Sequence, residues 1–360
     1  MLIFIDTNIF FHHWQLRNAD FTYLFNFIEN DEGKLLISDL VVSEVESNRS
    51  REFQSAASSV NKTIRQLNGW CAHHVNADGI DANMSYDFRS VLENKIDTDY
   101  IDYINYEHLS QLEVVSRAIA GKRPFRENEK GYRDTLIWLS FLQYLRNNAT
   151  DEKEQVAFIT KNIQDFQNGG RNNFHEDLLA DIKSYGIKRE IKFYNSLFSF
   201  ISSNFKKEDH ALSHNELDKI EDAIEEWTLD AVSAWTTEEF KKHTSSQWPV
   251  ISTLLSIEEH EFIIAEGIED AEVINYEHSV GKLYYLSCHY NFRRAIVKFT
   301  LSKAEFEQKK SLFDYYNWEE LNAEFVSVEL YARIYFSSSL IYEPTERSIN
   351  SLTIQETGYR

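Results

Sequence analysis

Asp6, Glu44, Asp134 and Asp165 stand at equivalent places in the first half of the chain: each lies at or just past the end of an apolar run of strand length, or at the start of the helical pattern that follows. Asp6 ends the run Leu2–Ile5, Glu44 lies in ISDLVVSEVESN, Asp134 opens GYRDTLIWLSFL, and Asp165 follows the run in FITKNIQDF. In an open parallel sheet the carboxyl ends of the strands form the ligand-binding edge, so this order predicts one shared acidic pocket. Packed carboxylates repel one another, and their charge is compensated most directly by a divalent cation. A donor set of oxygens alone selects a hard ion, Mg²⁺ or Mn²⁺. The chemistry such a site serves best is hydrolysis of a phosphodiester.

Taken singly, each acid also has a structural reading. Asp6 suits an Asx turn, Asp134 a helix N-cap, Glu44 a solvated helix face and Asp165 a loop. Glu46, two residues beyond Glu44, points elsewhere on the same helix. The case rests on the four together. Cations to receive phosphates are sought in Lys122, Arg123, Arg126, Lys130 and Arg133, the densest basic stretch in this half and directly before the third acid. Lys161 and Arg171 are further candidates, and Asn48–Arg51 is a weaker one. His12–His13 and His73–His74 lack the i, i+4 spacing of a helical metal site and are read as surface or structural residues, while His175 is placed near the pocket.

The elements that must position these residues follow from periodicity. Strands are predicted over Leu2–Ile5, Lys34–Ser38, Gln155–Thr160 and Glu190–Phe193, and helices over Phe21–Glu29, Leu40–Asn68, parts of Phe88–Ile119, Tyr132–Leu145 and Glu176–Tyr185. That alternation is the pattern of a parallel sheet with crossover helices, with residues 61–130 as a helical insertion. The predicted division is a nuclease-like domain over 1–205 and an accessory domain over 206–360. In the latter, Lys206–Glu261 reads as acidic helices, with a loop at Lys241–Trp248. β-Rich runs follow at Glu272–Ser279, Lys282–Tyr290, Arg293–Leu301 and Phe325–Ser337, forming an antiparallel meander, with a short helix at Ser302–Gln308.

Composition bounds the rest. The 360 residues carry a formal charge of −21, unusual for a chain that grips a polyanion. Residues 1–205 hold 22 Lys/Arg against 29 Asp/Glu, whereas residues 206–360 hold 15 against 29. Nucleic acid must therefore be met by local basic clusters. Cys71 and Cys288 match no zinc or redox spacing, and no apolar stretch is long enough for a membrane span; both fit a cytoplasmic protein with no membrane partner.

In order and context, IDTNIF, the VVSEV helix, GYRDTLIW and ITKNIQDF resemble the four acidic motifs of PIN-domain ribonucleases. The insertion and FHEDLLADI resemble more specifically the larger bacterial PIN-like family called DUF4935, a domain of unknown function. The resemblance covers roughly residues 1–195 and implies a Rossmann-type α/β/α sandwich that cleaves RNA with Mg²⁺ or Mn²⁺, leaving 5′-phosphate and 3′-hydroxyl ends. It makes Asp6, Glu44, Asp134 and Asp165 the metal-binding acids and Thr7, Asn8, Thr160 and Asn162 the polar lining of the pocket. Some members carry Asp where Asn162 stands, so one possible ligand of a second ion is neutral here. Large bacterial proteins of this kind resemble toxin or phage-defence effectors.

Three alternatives remain open at this stage. A structure-specific DNA nuclease of the flap-nuclease fold would use the same acids, and a non-catalytic module would retain them without activity. A phosphatase-like reading is weaker, because position 8 is Asn and the DxD pair is missing. In the second half, Tyr284–Tyr285, His289–Arg294 and Lys298–Phe299 mix aromatics with cations, a pattern that suits either base stacking or the packed and wet faces of strands. A protein-partner or homo-oligomer role is predicted for 206–360 on equal terms.

Overall fold

The computed structural model describes residues 1–358 apart from 31–32, 71–83, 127–129, 149–152, 169–172, 206, 209–211, 213 and 277–282. The chain divides into two compact units, residues 1–16 with 24–200, and residues 17–23 with 201–360.

The first unit is built on strands β1 (Leu2–Ile5), β2 (Lys34–Ser38), β3 (Ile101–Ile104), β4 (Val156–Ile159) and β5 (Ile191–Tyr194), all parallel in the order β3-β2-β1-β4-β5. Its helices are α1 (Ala19–Asn30, entered from the second unit), α2 (Asp39–Trp70), α3 (Phe88–Glu93), α4 (Gln111–Ile119), α5 (Tyr132–Asn147), α6 (Ile163–Phe166), α7 (Glu176–Ser184) and α8 (Leu197–Asn204). β1 and β4 lie at the middle of the sheet and are buried on both faces, which is why they read as unbroken apolar runs. The rings of Phe4 and Phe158 stack at 4.9 Å across that pair, and Trp138 of α5 meets Phe158 edge-on at 5.5 Å. Strand order reverses between β1 and β4, so their carboxyl ends form the switch point where open α/β sheets bind ligands.

The second unit contains the short helices α9 (His214–Leu217), α10 (Glu221–Ser233), α11 (Thr237–Thr244), α12 (Pro249–Ser252) and α13 (Lys303–Lys309). They accompany an antiparallel sheet of β6 (Lys207–Glu208), β7 (Ile257–Tyr276), β8 (Tyr284–Ser302), β9 (Asn317–Glu320), β10 (Phe325–Glu343) and β11 (Ser348–Gly358), ordered β11-β10-β8-β7-β6 with β9 on β10. A buried core including Tyr290, Phe292, Phe299, Phe336 and Phe240 unites sheet and helices. Tyr290 Oη lies 2.7 Å from the Thr228 hydroxyl.

The predicted class, a Rossmann-type α/β/α sandwich with a separate antiparallel sheet, is the one observed. Four local expectations are corrected. The stretch 61–130, read as a helical insertion, contains a strand, because Ile101–Ile104 pairs with β2 as the sheet's edge strand. Residues 241–244 continue α11, whose Thr236–Glu239 capping box starts a helix running through them. Residues 257–261 begin β7 rather than ending an acidic helix. The segments predicted as Lys282–Tyr290 and Arg293–Leu301 are one strand, β8, from residue 284 onward.

Candidate active site

Asp6 leaves the sheet at the end of β1, where its amide donates to Ile159 O at 2.9 Å. Its side chain, 2% exposed, caps the short 3₁₀ turn Thr7–Ile9 and accepts three hydrogen bonds. These come from the Thr7 amide (2.8 Å), Asn8 Nδ2 (2.9 Å) and the Thr160 hydroxyl (2.6 Å). The turn reading of Asp6 and its place at the sheet edge therefore coexist. Asn8 ties the first motif to the fourth: its amide nitrogen also reaches Thr160 Oγ1 at 3.0 Å, and its carbonyl accepts from the Lys161 amide at 2.7 Å.

The other acids are reached from this corner. Thr7 Oγ1 donates to Glu44 Oε2 at 2.6 Å, bringing the second turn of α2 to the end of β1. Asp134 lies in the first turn of α5, whose N-cap is Gly131, so Asp134 is not the cap itself. Asn162 Nδ2 donates to Asp134 Oδ1 at 3.4 Å while its amide donates to Thr160 Oγ1 at 3.0 Å, linking the third motif to the fourth. Asp165, 8% exposed, sits on α6.

Electrostatics records the crowding. Burial, then the charges of Asp134 and Glu44, push the Asp6 carboxyl up to about 7 against the opposing hydrogen bonds of Thr160 and Thr7. Burial, then Asp165 and Glu44, push Asp134 up to about 6 despite Asn162 and Arg133. The first, third and fourth motifs thus lie within electrostatic reach of one another, with Glu44 acting on both raised groups.

Three arginines answer this charge. Arg126 Nε pairs with Asp165 Oδ1, and its other arm donates to Gln164 Oε1 at 2.8 Å. Arg123 stands 3.5 Å from the same Asp165 oxygen, and Arg133 lies 2.5 Å from Glu44 Oε1. Residues 122–126 and the start of α5 deliver them, held by Phe125 N to Lys122 O (3.0 Å) and Arg126 N to Lys130 O (2.9 Å). Lys122 and Lys130 have exposed side chains. The basic stretch proposed from sequence therefore borders the acids directly.

Other candidates fall out differently. Arg51 and Asn48 join Ser43, Ser47, Glu44 and Arg133 around a hollow of about 340 Å³. Glu44, Ser47, Asn48 and Arg51 follow i, i+3, i+4, i+7 on α2, a face that helical spacing could have singled out. Gln164 was missed, and nothing in its sequence context marked it. Glu46 turns away, accepting from the Phe88 amide at 3.0 Å. His175 caps α7, accepting from the Asp177 amide at 3.2 Å, and its own amide donates to O of Phe166, the residue after Asp165, at 2.8 Å. His12 lies 3.7 Å from Glu52. Arg171, His73 and His74 lie outside the described residues.

The donor set suits a hard divalent ion: carboxylate oxygens, two of them buried or half-buried with raised proton affinity, and hydroxyl and amide groups holding them. Among the described residues, however, no three acidic, histidine or cysteine side chains stand together in a ready-made metal cage. Asp165 and Glu44 instead hold arginines. The chemistry fits an ion; the side-chain arrangement requires these pairs to open.

Residues 3–166 match the family model described as a PIN domain, a span confined to less than half of the chain. Comparison with curated proteins and with solved structures returned no significant match. PIN domains are generally nucleases that use divalent metals. Among the described residues, no helix is long and apolar enough to cross a membrane.

Proposed function

We propose that the parallel-sheet unit is a metal-dependent endoribonuclease that hydrolyses phosphodiester bonds at the carboxyl edge of β1 and β4. One observation carries this reading: the hydrogen-bond chain Glu44–Thr7–Asp6–Thr160–Asn162–Asp134, which links three of the four acids through side chains that the motif resemblance also singles out. Asp6, Glu44, Asp134 and Asp165 would hold Mg²⁺ or Mn²⁺, which supplies Lewis acidity to water and neutralises charge on the phosphodiester. Thr160 and Asn8 fix the Asp6 carboxylate, Thr7 orients Glu44 and Asn162 orients Asp134. Arg123, Arg126 and Arg133 are set to contact substrate phosphate, with Lys122 and Lys130 on the outer rim. The long stretch over 61–130 and FHEDLLADI support the DUF4935-type branch of the PIN-like proteins, in which a toxin or defence role is one outcome of the substrate test.

The test is cleavage of labelled single-stranded RNA, duplex DNA and flap DNA, side by side, in Mn²⁺ and in EDTA. RNA cleavage by the wild type that Asp6→Asn abolishes is the expected result; flap-restricted cleavage would transfer the site to the DNA-nuclease reading. The arginine pairs on Asp165 and Glu44 favour a second reading, a non-catalytic binding module. That module would cut nothing and would show no Mn²⁺-dependent rise in melting temperature.

A further inference from the structure

The first unit contains an apolar cavity of about 190 Å³ lined by Val114, Val115 and Ala118 of α4, by Phe125, and by Tyr132 at the start of α5. Both rings adjoin basic residues in the chain. Phe125 precedes Arg126, which pairs with Asp165; Tyr132 precedes Arg133, which pairs with Glu44. Neighbouring residues are about 3.8 Å apart along the backbone, so each ring of the cavity wall is one step from a cation at the acids.

The wall is preformed. Gly131 has φ +94°, and a Cβ there would lie 2.1 Å from Pro124 O, so only glycine permits the close approach that brings Tyr132 back towards Phe125, with ring centres 6.4 Å apart. Arg117 braces the opposite side: Nε donates to Arg123 O at 2.8 Å, and its guanidinium also pairs with Asp181. Phe125 and Val114 are buried, whereas Tyr132 is 46% and Val115 51% exposed, so the cavity opens to solvent between one ring and α4.

We propose that this cavity receives one unstacked base of the single-stranded RNA, from a nucleotide beside the bond that is cut. The proposal rests on the nuclease reading and deepens it. Aromatic side chains are the usual platforms for splayed bases in single strands. Charge complementarity supplies the register: the residues from 122 to 133 hold five Lys or Arg and two Glu, so the sugar-phosphate chain lies along the cations while the base turns inward. Among the described residues, the lining offers no carboxylate or amide side chain to read a base edge. Discrimination therefore comes from stacking and size, so a missing base matters more than the identity of the base.

The experiment is single-turnover cleavage of a fluorescein-labelled RNA in Mn²⁺ over a range of concentrations of the full chain, which separates apparent Kd from the rate at saturation. Single abasic residues are placed in turn at the positions flanking the cleavage site. Tyr132→Ala, and Ala118→Phe to fill the cavity, are expected to raise apparent Kd about tenfold, the scale of one stacked base, with a much smaller change in the saturated rate. Tyr132→Phe keeps the ring and should bind like wild type. At one position an abasic residue should weaken wild type equally and add no further loss in Tyr132→Ala. Additive losses at every position, or variants that bind intact RNA as wild type does, would overturn the pocket while leaving the nuclease standing. A correctly folded wild type that neither binds nor cuts the RNA overturns the nuclease reading, and the pocket falls with it.

Discussion

At the scale of single residues, the proposed function sets protons, arginines and a metal in competition for the same carboxylates. Asp6 has a raised proton affinity in the folded chain, so its ionisation weakens the metal-free fold: stability contributed by the protonated group at low pH is lost as pH rises from 3.8 through about 7. Asp6→Asn should therefore melt a few degrees higher than wild type at pH 8 without metal, with the advantage fading at pH 4, while cleavage is abolished. Calorimetry at the two pH values checks this, and an Asn variant that melts lower at pH 8 would show that the three hydrogen bonds to the carboxylate outweigh its burial. Arg126 gives a prediction of opposite signs. Its charge occupies Asp165, so Arg126→Gln should tighten Mn²⁺ binding several-fold by titration calorimetry and weaken RNA binding in the cleavage assay. Both affinities falling together would make Arg126 a prop of the pocket instead of a phosphate contact.

At the scale of elements, the N-terminus of α5 and α13 are where local construction is most exposed to test. Gly131→Ala introduces a side chain 2.1 Å from a carbonyl oxygen at a left-handed backbone position and should destabilise the first unit by about 2–3 kcal/mol, seen in denaturant unfolding. In the second unit, burial alone would raise Glu305, but donors from Lys309, Ser256 and the Leu255 and Ser256 amides together lower it to about 2. Its contribution is complete above the unfolded value of 4.5 and disappears as pH falls towards 2. Glu305→Gln should cost about 1–2 kcal/mol at pH 7 and almost nothing at pH 2, a convergence that melting curves would reveal. The elements legible in the sequence were those whose environment is uniform. β1, β2 and β4 are largely apolar, buried runs, and Asp6 and Asp165 follow from where two of them end. The edge strand β3, IDYI, was not legible because Asp102 and Tyr103 are only half-buried and Asp102 satisfies itself outside the strand, 2.9 Å from Lys34 Nζ. The first part of β7 was hidden for a related reason: Glu258, Glu259, Glu261 and Glu266 give it the composition of a solvated helix, and its strand character comes from pairing with β8. The arginine partners of the acids were legible only as a nearby charge cluster, since which guanidinium meets which carboxylate is decided by the turn around Gly131.

At the scale of the whole molecule, the division of the chain does not follow sequence order, and this yields the last prediction. The seven residues 17–23 belong with 201–360, although the chain on either side of them belongs to the first unit. Asp20, 5% exposed, accepts hydrogen bonds from the Tyr285 hydroxyl (2.8 Å), the Ser339 hydroxyl (2.5 Å) and Gln355 Nε2 (2.8 Å), and Tyr23 packs against Tyr285 with ring centres 4.6 Å apart. A periodic apolar helix at residues 21–29 is plain from sequence; that its first turn serves a carboxylate network more than two hundred residues away is not, because tertiary hydrogen bonds leave no local signature. A chain cut after residue 205 keeps every candidate catalytic acid but strands this segment, leaving Ala19, Phe21 and Tyr23, all buried in the intact protein, without their neighbours. It should therefore melt below the first-unit transition of the intact chain and aggregate on heating. In the intact chain Asp20→Ala removes the acceptor that three buried or half-buried donors share and should destabilise the second unit by about 2–3 kcal/mol while leaving Mn²⁺-dependent cleavage unchanged at temperatures below melting. If the shortened chain instead melts with the intact first unit, residues 17–23 contribute nothing that solvent cannot replace, and the chain can be treated as two domains divided at 205.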